Sequence, residues 1–70
     1  MIRKGSPVQW TSNDRTLRGK VLKTYDYPVR KVFAGIPLLV FGKTGNKALW
    51  IKKSDGTETL LQEEDVSRDG

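Results

Sequence analysis

Neither cysteine nor histidine occurs among the 70 residues. Without thiols there is no disulfide and no thiolate metal site. Without imidazole the chain lacks the commonest general base, the commonest transition-metal ligand and the side chain that titrates near neutral pH. The usual nucleophile–base pairs go with them, so we expect a protein that is not an enzyme and needs no cofactor. Long apolar runs are missing too. The longest, Ile36 to Phe41, holds six residues including Pro37, against roughly 20 for a membrane-spanning helix. Met1-Ile2-Arg3-Lys4-Gly5 carries two cations with no apolar segment behind them, which is not the pattern of a secretory leader. These shortfalls point to a cytoplasmic chain with no membrane contact and no small-molecule substrate.

What is present is a modest apolar fraction and an uneven charge. Apolar residues make up 36%, enough for one thin core in a single domain over residues 1–70, and a chain this short buries only about 60% of its unfolded surface. The net charge is +5. Up to Lys53 twelve basic residues face two acidic ones, Asp14 and Asp26; from Ser54 onward Arg68 stands against six acids. A basic body with an acidic tail suits a polyanion, its own tail or a second copy of itself as partner, and equally suits a soluble surface with no partner.

Helical periodicity is not sustained anywhere, while β-branched and aromatic residues sit between turn formers. Val8 and Trp10 alternate with Pro7 and Gln9 in a short strand over Ser6 to Thr11. Ser12-Asn13-Asp14 is a turn cluster. Arg15 to Tyr25 reads as a long strand with Leu17, Gly19, Val21 and Tyr25 on one face, and Gly19 marks a bend. Val29 to Ala34 is a further strand, Gly35 to Pro37 a kink, and Leu38 to Phe41 is too short to assign; whether 35–47 is strand or loop stays open. Ala48 to Lys53 is a strand, and Asp55-Gly56 predicts a two-residue hairpin turn that sets Lys53 opposite Glu58 and Ile51 opposite Leu60. Gln62 to Asp65 reads as a polar turn or a turn of 3₁₀ helix, Val66 returns to the core, and the last residues fray. About five short antiparallel strands imply an all-β fold, a small closed barrel with both tryptophans inside.

Lys4-Gly5, the Val8-x-Trp10 strand, Gly19-Lys20-Val21, Val29 to Gly35, and Ile51 with Asp55-Gly56 and Leu60 together resemble the Tudor-like domain of hypervirulence-associated proteins, a family of short bacterial and fungal chains. The likeness runs over about residues 3–67. It departs at Lys47-Ala48-Leu49-Trp50, where the family has a proline and an aromatic. The resemblance implies a Tudor or SH3-like barrel and little about chemistry.

Several motifs fail on inspection. Gly42-Lys43-Thr44 resembles the end of a phosphate-binding loop, yet Pro37 occupies the place of its first glycine. Gly42 to Gly45 has the G-x-x-G spacing of a backbone clamp without the flanking helices. Glu63, Glu64 and Asp65 lack the spaced ligands of a calcium loop. Most of the six aromatics alternate with apolar neighbours and read as core, not as a cage for a methylated cation, while Tyr25 and Tyr27 lie beside a loop.

The basic residues carry the functional lead. Arg15, Arg18, Lys20 and Lys23 lie on one strand, Arg30 and Lys31 on the next, and Lys43 and Lys47 flank the glycine loop. If they converge they form a phosphate-binding stripe for nucleic acid; if they scatter they serve solubility. Strand alternation puts Arg18 and Lys20 on one face and Lys23 on the other, unless a bend realigns them. The alternative is a module for binding another protein or itself through the barrel surface and the acidic tail.

Overall fold

Turn residues set the strand boundaries. The computed structural model describes residues 2–69. Strand β1 (Pro7–Ser12) runs into β2 (Arg15–Tyr25) through Asn13 and Asp14, whose φ angles of 51° and 62° make the two-residue turn that matches strand twist. β3 (Pro28–Phe33) and β4 (Ile36–Phe41) are joined in the same way by Ala34 and Gly35, at φ 51° and 80°. The kink expected at Gly35 to Pro37 is therefore a hairpin turn, and the unassigned run after it is a full strand. β5 (Ala48–Lys53), β6 (Glu58–Gln62), a single 3₁₀ turn (Glu63–Asp65) and β7 (Ser67–Arg68) complete the chain. The C-terminal residues do not fray as expected: β7 pairs with β1, and the Asp69 N–H donates to the Pro7 carbonyl at 2.9 Å.

The fold is all-β and antiparallel, as the alternation implied. Five strands form a sheet in the order β6-β5-β2-β1-β7, and β3-β4 form a second. Among the described residues no ladder joins the two. β4 lies along β6, held by side chains and by Gln62 Nε2–H donating to the Phe41 carbonyl at 2.9 Å. The barrel is open where a closed cylinder was expected, because the hairpin docks by its face and not by its edge.

That docking gives the molecule two cores on opposite faces of β5. Leu49 and Ile51 belong to one, with Ile2, Val8, Trp10 and Val21. Ala48 belongs to the other, with Tyr25, Val29 and Leu60, and half-buried Trp50 and Phe33 pack beside it. The two indoles sit in different clusters. Adjacent residues of one strand point to opposite faces, so β5 is a wall shared by both cores.

The β5–β6 turn differs by one residue from expectation. Only Gly56 takes a positive φ, 93°, and the loop holds Ser54, Asp55 and Gly56. Asp55 Oδ1 accepts from Thr57 Oγ1–H at 2.6 Å and from its N–H at 2.9 Å. The hydroxyl bond first, then the backbone one, hold the Asp55 carboxyl below its ordinary pKa. The side-chain cap favours a three-residue loop over a two-residue one. Lys52, not Lys53, now faces Glu58, and Ile51 faces Thr59.

Glu63 ties the ends together. Its carboxylate accepts from the backbone N–H of Ile2 at 3.2 Å and of Lys47 at 3.3 Å, while its own N–H donates to the Lys47 carbonyl at 2.9 Å. The expected polar turn is thus a three-way clamp. Glu63→Gln keeps the shape but loses one charged acceptor, and urea unfolding is expected to show a loss of about 1 to 2 kcal/mol. An unchanged midpoint contradicts the clamp.

Candidate nucleic-acid interface

Backbone irregularity decides which cations meet. Between Val21 and Lys23 the β2–β5 register slips by one residue, a β-bulge at Leu22. Before the bulge, Val21 faces Ile51 in the first core; after it, Lys23 faces Trp50 and Tyr25 faces Ala48 on the opposite side. Val21 and Tyr25 therefore do not share a face, contrary to plain alternation. The same slip moves Lys23 onto the face of Arg18 and Lys20. The realignment comes from Leu22 and not from Gly19, whose role is a close crossing: a Cβ there would lie 2.6 Å from both Ile51 Cγ2 and the Lys52 carbonyl oxygen.

The hairpin covers only part of this face. The remainder, over β1, β2 and the end of β5, is an open shelf. Arg18, Lys20, Lys23 and Lys52 are all exposed on it, and Lys20 stands directly opposite Lys52. Like charges opposed across a ladder destabilise a sheet slightly. Two acids offset them. Asp69 Oδ2 lies 3.4 Å from Arg18 Nε, an exposed pair of small energetic worth. Glu58 sits opposite Lys52 and also accepts from Trp50 Nε1–H at 2.7 Å.

Lys31 reaches the shelf from the hairpin. Its Nζ lies 4.7 Å from the Trp50 ring centre and 5.9 Å from that of Tyr25, and Lys23 Nζ lies 5.3 Å from the Tyr25 ring. Each such contact contributes about 0.5 to 1 kcal/mol near solvent. The ring faces that an external cation would use are occupied by the chain's own lysines. Tyr25 is buried and Tyr27 exposed, edge-on to one another with centroids 5.5 Å apart. Phe41 lies outside both cores, 64% exposed, an exception to the reading of most aromatics as core.

Four of the expected site residues lie elsewhere. Arg15 sits at the β1–β2 turn opposite Ser12. Arg30 points to the far side of the hairpin, paired with Leu39. Lys43 closes a small turn with Asn46, the N–H of each donating to the carbonyl of the other at 3.1 and 3.0 Å. Lys47 is tied by its backbone N–H and carbonyl to Glu63, beside the 3₁₀ turn and away from the shelf. Lys52 and Trp50 join the site only through the long-range β2–β5 pairing, which leaves no mark in the local sequence.

Among the described residues no three His, Cys, Asp or Glu side chains are placed to hold a metal ion, and no helix is long and apolar enough to cross a membrane. No family model, curated protein or solved structure matches the chain.

Proposed function

We propose that the chain is a small non-catalytic binding module of the cytoplasm that takes nucleic acid with low sequence specificity on the β1–β2–β5 shelf. The observation that carries this reading is the Leu22 bulge, which joins Lys23 to Arg18, Lys20 and Lys52, with Lys31 at the rim. Among the described residues, five cations against two acids on one open face match a phosphate backbone in sign. Most of the shelf's cations are lysines, which meet phosphates as point charges and carry little base information, so discrimination between sequences is small. Kinship with Tudor-like domains is part of the same proposal, supported by the order of the Val8-x-Trp10, Gly19-Lys20-Val21 and Asp55-Gly56 segments.

The direct test is fluorescence anisotropy of a labelled oligonucleotide at low salt. Joint replacement Lys20→Glu with Lys52→Glu is expected to weaken binding about tenfold or more, with an unchanged circular dichroism spectrum. Arg15→Glu, off the shelf, is expected to change it little. Equal loss from both variants, or no binding by the native chain, removes the proposal.

The second reading, self-association or protein binding, also has an observation in its favour. The acidic tail folds back on its own chain through Asp69, but an apolar surface remains bare on the hairpin.

A further inference from the structure

The sequence Ile36-Pro37-Leu38-Leu39-Val40-Phe41 is apolar throughout. Such a run is the pattern of a strand covered on both faces. Only one face is covered here. Val29, Phe33, Leu38 and Val40 turn inward onto the second core. The pairs Pro28–Phe41, Arg30–Leu39 and Val32–Pro37 turn outward. Phe41, Val32 and Leu39 are 64%, 60% and 56% exposed, and Pro28 and Pro37 beside them are exposed as well. Arg30 is the one charge on this outward ladder.

We infer that this face is an interface between two copies of the chain, stacked hairpin on hairpin. Its size suits that occupant. The five apolar side chains of that ladder, Pro28, Val32, Pro37, Leu39 and Phe41, are all exposed and present on the order of 400 to 500 Å² of apolar surface, the upper range for a monomer. A symmetric pairing would bury about 1,000 Å² in total, the lower bound for a specific interface. Its charge suits it as well. A nucleic acid has no use for an apolar ladder, and one arginine does not select an acidic peptide. Asp26 lies just before the hairpin and Arg30 near its middle. An antiparallel stacking turns the Arg30 of each copy toward the Asp26 end of the other, so the self-pairing supplies its own counter-charge. The pairing does not depend on nucleic-acid binding.

Sedimentation velocity over about 1 to 500 μM, at moderate and at high salt, tests the assignment. The native chain is expected to pass from monomer to dimer in the micromolar range and to keep the dimer at high salt, since apolar contact is not screened. Leu39→Glu is expected to weaken association at least about tenfold with an unchanged circular dichroism spectrum. Val32→Lys, at an equally exposed position, serves where Leu39→Glu does not fold. A native chain that stays monomeric throughout overturns the inference, including one that is monomeric yet binds lipid vesicles. So does a dimer lost at high salt, which points to the acidic tail, or one that both variants leave intact.

Discussion

Gly42→Ala is expected to abolish the native fold. A Cβ at Gly42 would stand 2.7 Å from the Ala48 nitrogen, 2.7 Å from the Tyr25 carbonyl oxygen and 2.8 Å from that of Tyr27. All three are backbone atoms. They belong to the end of β2, the turn into β3 and the start of β5, so no rotamer change relieves the overlap. Overpacking a site costs about 1 to 3 kcal/mol where neighbours can shift. Here the neighbours are the ladder itself, and the cost is at the upper end or beyond. A 70-residue domain has a total stability of about 3 to 10 kcal/mol. Gly45→Ala is the contrast. Nothing lies within 4 Å of a Cβ there, but φ is 86°, so the left-handed backbone alone costs about 1 to 2 kcal/mol. Thermal unfolding followed by amide dispersion in nuclear magnetic resonance separates the two. A Gly42→Ala chain that melts within a few degrees of native would mean that three strands do not converge at this point.

The convergence at Gly42 could not be read from the chain, because a clash between residues 17 apart leaves no local mark. What was legible was local. β2 and β5 follow from alternation and β-branched content, and their bounds match. The turn at Asn13-Asp14 follows from two residues that tolerate positive φ. The errors also have local causes. Asp55-Gly56 reads as a two-residue turn on composition, and the Asp55–Thr57 bonds that lengthen the loop are a side-chain detail. Ala34 carries a positive φ that its type does not advertise, which hid a hairpin. The bulge at Leu22 has no signature at all: leucine is an ordinary strand residue, and only pairing with β5 shows the extra residue. That silent irregularity matters most for the site. It reverses the face of Lys23, and with it the answer to whether the cations scatter or gather. Half of the expected basic residues reach the shelf, and the others mark loops and the hairpin's far side.

Binding on the shelf, if the proposed function holds, carries a steep and quantitative salt dependence. Each phosphate neutralised releases condensed counterions, so the logarithm of affinity falls with the logarithm of salt by about 0.9 per contact on duplex DNA and about 0.7 on a single strand. The shelf offers Arg18, Lys20, Lys23, Lys31 and Lys52. Arg18 is shared with Asp69 and Lys31 with the Trp50 ring, so about four full contacts are expected. Slopes of roughly −4 for duplex and −3 for single strand follow, which between 50 and 200 mM salt amount to roughly 60- to 250-fold in affinity. The slope also counts the residues. Lys20→Gln should lower it by roughly one unit, because one phosphate contact is lost and no repulsion is added. Asp69→Asn should raise it, by freeing the Arg18 guanidinium from its 3.4 Å partner. A generic attraction between a chain of charge +5 and a polyanion would not distinguish Lys20→Gln from Lys43→Gln, since each removes the same charge. Shelf binding does, because Lys43 lies on a turn outside it. Equal slopes for those two variants would assign the attraction to net charge alone and leave the gathered cations without a role.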